Sequence, residues 1–283
     1  MILTAAWGVV WIWAAVPQGS PTEGWPTDLA QASPPAPAAP AATERRTPDL
    51  VLLRVQTNFL EHDLRLDSTY QDRITGTPAR SATDFDIRLA VPVDTVWMIG
   101  VIGNYRWLEE VNRPNENGAA VSVFGRVQMI EEVESSYAFT LEISSPNKGV
   151  ENDRTQVSAG VAGFEDLDAL LGFDGVGLYA DLQLQHSTSR GQVDGGNQLA
   201  YVVSMAKTWT GDLLGTARLS VFEELGGTTQ IDQGSGGRTT LSITPGFRFD
   251  PSPAHAFLAG VDFPLTHPHG FGELFRISYI YSF

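Results

Sequence analysis

Seven arginines, Arg54, Arg88, Arg106, Arg126, Arg218, Arg248 and Arg276, fall on the polar phase of an alternating pattern, and six carboxylates, Asp84, Asp86, Glu142, Asp181, Glu224 and Asp262, share it. Brought to one surface, such groups can orient a polar solute through charge-assisted hydrogen bonds, or pair and brace one another. Neither role requires a reaction. His267 and His269 in HPHG, with His255 upstream, are the other chemistry-bearing types, but no third metal ligand stands at suitable spacing, and they read as an exposed turn. No Gly-rich phosphate loop, GxSxG or HExxH is present, so no cofactor, metal or catalytic residue is expected.

Composition narrows the classes further. With no cysteine, thiolate sites and disulfides are excluded. Thirty-three acids against eighteen bases give a net charge of -15 over 283 residues. That balance argues against a nucleic-acid partner, which demands a basic stripe.

What must position the charges is a ladder of strands. Phe85, Ile87, Leu89 and Val91 alternate with Asp84, Asp86, Arg88 and Ala90; Tyr137, Phe139, Leu141 and Ile143 alternate with Ala138, Thr140, Glu142 and Ser144. Period two over segment after segment is the pattern of strands whose faces meet different media. Twelve segments follow it, near 50–60, 83–92, 96–107, 119–130, 135–145, 155–164, 175–188, 198–209, 215–225, 238–249, 254–264 and 274–283. Long connections, the first at 61–82, alternate with short ones; 165–174 breaks the rule and contains a short helical DLDALLG. An even antiparallel set with short turns on one side and long loops on the other predicts an all-β fold, a transmembrane antiparallel β-barrel of about twelve strands, short turns periplasmic. Trp97, Trp107, Trp209 and Tyr137 fall where an interfacial girdle would lie. Acids crowd the short turns, among them Asp94, Glu131, Glu165, Asp166 and Asp250, and read as a solvated rim.

Two segments precede the ladder. Residues 1–17 carry an apolar ILTAAWGVVWIWAAV stopped by Pro17, the size of a signal-peptide core, though no base precedes it. Residues 18–49 hold seven of the seventeen prolines and read as a disordered Pro/Ala-rich linker, leaving 50–283 for the barrel.

The C-terminus is FRISYIYSF, with Phe275, Ile277, Tyr279, Tyr281 and Phe283 on one face. In these residues the chain resembles bacterial outer-membrane β-barrel proteins, whose last strand ends on an aromatic residue behind alternating apolar positions. The resemblance implies export to the cell outer membrane, lipid around the barrel, and handling by the barrel-insertion machinery; the expected state is monomeric. A looser resemblance is to barrel transporters of the aromatic-degradation-pathway type, for which no diagnostic motif is matched.

If the apolar set faces lipid, the thirteen charges above line the lumen. Strand direction then places Asp84 and Asp86 level with Arg106, Arg126 near Glu142, and Asp262 near Arg276. A twelve-stranded interior is wider than side chains fill at eight strands and narrower than an open porin. A thin polar passage is expected, serving passive uptake of a small polar or amphipathic solute. The alternatives are a structural or adhesion barrel with a salt-bridged, closed lumen, and a hydrophobic-solute route with kinks or wall openings at Gly100, Gly103, Gly125, Gly160 and Gly163. A third follows from resemblance to outer-membrane lipid hydrolases, which carry a His and a Ser two residues apart on the lipid face with Asn or an acid on the next strand. Here His186 has Asn197 nearby, but Thr188 stands at the second position and Ser187 points the other way.

Overall fold

The computed structural model describes residues 52–55, 60–72, 80–110, 115–132, 134–145, 155–188, 196–210, 217–231, 237–266 and 272–283. Twelve strands follow one another: β1 (Asp63–Asp72), β2 (Arg80–Pro92), β3 (Trp97–Glu110), β4 (Glu116–Glu131), β5 (Ser135–Ser144), β6 (Gln156–Asp166), β7 (Val176–Ser187), β8 (Gly196–Trp209), β9 (Arg218–Gln230), β10 (Thr239–Ser252), β11 (His255–Pro264) and β12 (Glu273–Ser282). Each is antiparallel to its sequence neighbours, and β1 pairs with β12 from Asp63↔Ser282 to Asp72↔Glu273, closing the barrel. Closure leaves no row of unpaired backbone groups, the condition for placing a sheet in hydrocarbon.

Strands of 10 to 16 residues meet or exceed the roughly 9–11 that a tilted crossing needs. Between β6 and β7 the expected helical turn is present as α1 (Leu167–Leu171), where the Asp166 carboxylate accepts the Asp168 N–H at 2.9 Å. Gly172, at φ 74°, ends the turn in the left-handed region that glycine adopts without a Cβ penalty.

The oily face points outward. Phe85, Ile87, Val101, Val123, Leu141, Leu182, Phe247 and Ile277 are exposed on the wall, while Arg88, Arg126, Asp181, Glu224 and Asp262 are buried behind it. Around the short-turn rim His255 packs between Tyr279 and Tyr281, its Nδ1 2.8 Å from the Tyr279 hydroxyl, and Tyr281 stacks on Phe283. These amphipathic rings match an interfacial girdle. Glu223 and Lys207 interrupt the outer band; Lys207 reaches the Asp174 carboxylate at 3.3 Å.

One strand differs from the sequence expectation. The first lies at Asp63–Asp72, inside the segment taken as the first long loop, and not at 50–60. Leu64, Leu66 and Tyr70 supply its outward phase, with Asp63, Arg65, Asp67 and Thr69 inward. Leu52–Val55 is not in the wall at all: it lies within the barrel, with Leu52 and Val55 at 0% and 1% exposure. There the two join an apolar cluster with Leu53, Phe164, Tyr179, Ala206, Phe222, Ala256, Leu258 and Ile280. Every strand residue of that cluster lies near a short-turn end. The passage expected to be polar throughout is therefore packed with apolar groups in its short-turn half.

Of the five glycines named as kinks, Gly100, Gly160 and Gly163 act as clearances. A Cβ on Gly100 would strike the Phe124 ring, and one on Gly163 would come within 2.8 Å of Tyr137, so each glycine makes room for an aromatic on the adjacent strand; Gly103 and Gly125 face open space. The β10–β11 register runs through Ile243↔Phe263 and resumes at Gly246↔Gly260, across Pro245, which has no N–H to donate. Wall pairing is interrupted there, and the register shifts between Phe249 and Ser252 and between Gln128 and Ile130; none of these places is at the five named glycines.

Candidate functional site

The lumen is built by one phase of the twelve strands, so its chemistry follows from register. Cross-strand neighbours on one face sit close enough to pair. Arg276 on β12 forks onto Asp262 of β11, with Nη2 to Oδ2 at 2.8 Å and Nε to both oxygens at 3.0 and 3.1 Å. The Thr244 hydroxyl of β10 donates to Asp262 at 2.7 Å. Asp262 and Thr244 are essentially inaccessible, and the carboxylate on β11 is held by groups from both adjacent strands. This pair is as expected.

Asp84 meets Arg106 at 3.6 Å, again as register implied, and takes the Thr69 hydroxyl at 3.4 Å; Asp86 instead accepts the Asn104 amide at 2.5 Å. Arg126 has Glu142 as a diagonal neighbour on the next strand and not as its direct partner. It stands opposite Thr140, whose hydroxyl oxygen accepts its Nε–H at 3.0 Å, while Glu142 stands opposite Phe124. The register of this strand pair shifts by one residue at a bulge between Gln128 and Ile130. Arg88 and Arg126 both lie over the Phe124 ring, at 4.5 and 5.7 Å from its centroid. An aromatic face is a favourable seat for a buried guanidinium.

Near the short-turn rim Asp250 receives Arg248 at 2.7 Å and Arg218 at 3.4 Å. Asp250, read as a solvated turn acid, is 1% exposed because β10 continues to Ser252 and points it inward. Glu224 accepts the backbone N–H groups of Arg54 and Val55 at 3.1 and 3.3 Å. Arg54 reaches the lumen from the inserted segment, its Nη1 donating to Ser242 and Thr244 at 2.8 and 3.5 Å. Asp181 takes the Gln183 amide at 3.3 Å and Glu142 the Ser144 hydroxyl at 3.2 Å.

All thirteen expected residues thus face the interior, twelve from the wall and Arg54 from within. Asp63, Arg65 and Asp67 were missed. Arg65, paired with Asp67 at 2.8 Å, holds the inserted segment. Three of the thirteen, Arg54, Asp181 and Arg276, border an open cavity of about 270 Å³ together with Leu53, Gln183, Ala200, Tyr201 and Val202. Two guanidinium-bearing side chains, one carboxylate and one amide around such a volume can hold a small polar molecule by hydrogen bonds.

On the outer face His186 Nδ1 is 2.8 Å from the Asn197 side-chain oxygen, and Thr188 directs its hydroxyl to the Thr155 carbonyl at 3.2 Å. A nucleophile must hand its proton to a base within hydrogen-bond reach, whereas this hydroxyl donates to the backbone. His186→Ala should therefore leave phospholipid release at the blank rate of protein-free vesicles; an activity present in the native protein and lost in the variant would overturn that. Among the described residues no group of three or more His, Asp or Glu is gathered to hold a metal. His267 and His269 lie outside the described residues, as do 1–17 and 18–49.

No family model and no curated protein matches the sequence. Solved structures do. The β domain of the Bordetella autotransporter BrkA superposes with a TM-score of 0.52 at 12% identity, over 79% of this chain and 99% of that one. The COG4313 outer-membrane channel from Pseudomonas putida F1 gives 0.54 at 11%, over 80% and 96%, and the NanC porin 0.51 at 9%, over 78% and 98%. At such identities the likeness is one of fold: that of bacterial outer-membrane barrels. Closed wall, oily outer face and these neighbours together place the protein in the outer membrane.

Proposed function

We propose that the protein is a passive channel for a small polar or amphipathic solute. The observation that carries the reading is the 270 Å³ cavity inside the closed wall, lined by Arg54, Asp181, Gln183 and Arg276. Bracing alone needs charges paired in contact; here charged groups border open volume. The likeness to a porin and an outer-membrane channel, as those structures are described, supports the same reading. No step of this function requires catalysis.

Osmotic swelling of liposomes containing the purified protein tests it. Solutes of a size to fit the cavity, sugars and amino acids among them, should enter measurably faster than into empty vesicles, and Arg276→Gln should change their ranking. Entry of every solute no faster than into empty vesicles would sink the channel. That outcome would favour the second reading, a structural barrel with a closed lumen, for which the packed apolar short-turn half and the Arg276–Asp262 and Arg248–Asp250 pairs speak.

A further inference from the structure

The four residues Leu52–Val55 cross the interior without joining the wall, and each of their polar backbone groups that the barrel satisfies is met by a side chain. Arg65 of β1 donates to the Leu52 and Leu53 carbonyls at 3.1 and 3.0 Å. Glu224 of β9 accepts from the Arg54 and Val55 N–H groups. The barrel thus grips the segment from separate strands with one cation and one anion, each matched to the polarity of the backbone groups it holds. Two wall glycines are cut to its shape. A Cβ on Gly226 would strike the Arg54 guanidinium, and one on Gly260 would lie 2.6 Å from Leu53 Cδ1. Leu52, Leu53 and Val55 complete the apolar cluster that fills the short-turn half, and Leu53 and Arg54 also border the cavity.

These facts together define a removable part. A wall strand is bound by a continuous ladder on both sides, whereas this segment is bound by two charged wall side chains, the Arg54 guanidinium on Ser242 and Thr244, and apolar contact, so it can withdraw without opening the barrel. We infer that Leu52–Val55 is a displaceable plug, latched by Glu224 and Arg65, that closes the short-turn end of the lumen and opens it on leaving. The inference rests on the channel reading for the consequence of opening, but the movement is measurable apart from flux. Charge-assisted hydrogen bonds are the stronger kind, so neutralising Glu224 weakens the latch on two backbone N–H groups at once.

The native chain has no cysteine, which permits a direct test in the full-length protein. Leu53→Cys with Gly260→Cys places two thiols within reach of a disulfide across the plug and wall. Single-channel or swelling flux should fall at least tenfold on oxidation and return on reduction. Separately, Leu52→Cys, buried at 0% exposure, should react with a membrane-impermeant maleimide at least tenfold faster when combined with Glu224→Gln. Both results together support the plug. Faster labelling with no flux in any variant would support a plug that moves while overturning the channel. Unchanged labelling in Glu224→Gln, or equal flux from the oxidised and reduced double-cysteine protein with the cross-link verified by mass, would overturn the plug and leave the channel standing.

Discussion

Asp262→Ala will destabilise the barrel by about 3 kcal/mol, because it strands two partners at once. The carboxylate is 1% exposed and holds Arg276 through both oxygens while accepting from buried Thr244. Breaking a buried pair from one side leaves a charge without its counter-ion in a confined space, and the Thr244 hydroxyl loses its acceptor as well. Arg276 is 24% exposed and borders the cavity, so part of the loss is recovered by water, which sets the expectation at the low end of the range for such losses. Urea titration of the protein in lipid vesicles, followed by Trp fluorescence, measures it. Removing both partners with Asp262→Ala and Arg276→Ala should cost less than the sum of the singles, with a coupling of roughly 2 kcal/mol. A single variant within about 0.5 kcal/mol of native would show that the pair contributes nothing.

The Asp262–Arg276 contact was legible in advance because the two strands are joined directly and their phases are unambiguous, and the same holds for Asp84 with Arg106. Arg126 was legible as a neighbour of Glu142, but its register opposite Thr140 was not. The pairing of β4 and β5 shifts at a bulge by Gln128, and alternation contains no signal for an extra residue. The first strand was missed because DLRLDSTYQD supplies only Leu64, Leu66 and Tyr70 to the outer face, fewer apolar groups than any reading of a lipid-facing strand would ask. VLLRV was misplaced for the opposite reason. An apolar run is satisfied equally by acyl chains outside and by a dry cluster inside, and periodicity cannot tell them apart. The discriminating signal was present elsewhere: Phe164, Tyr179, Phe222, Leu258 and Ile280 occupy the polar phase of their strands near the short turns. Large apolar groups on the wrong phase need an apolar occupant to pack against, and the segment before β1 was the apolar chain nearest to hand.

Leu182 and Gln183 offer the sharpest separation of the two faces, since they are adjacent near the middle of β7 and differ only in which way they point. Leu182 is 51% exposed on the outer wall, and Gln183 borders the cavity beside Asp181. A lysine on the lipid side near the bilayer midplane costs about 2–4 kcal/mol, because the ammonium must be carried into hydrocarbon or stretched toward the headgroups. Leu182→Lys should therefore lose that much in vesicle-based unfolding. Gln183→Lys should change stability by no more than about 0.5 kcal/mol, because its ammonium stays in the polar cavity and gains the Asp181 carboxylate as a neighbour. In a water-soluble β sandwich the order reverses: the exposed position accepts the charge and the enclosed one pays. A neutral Leu182→Lys paired with a destabilised Gln183→Lys would thus mean that water, not lipid, bathes the oily wall, and the channel and its plug would lose their membrane together.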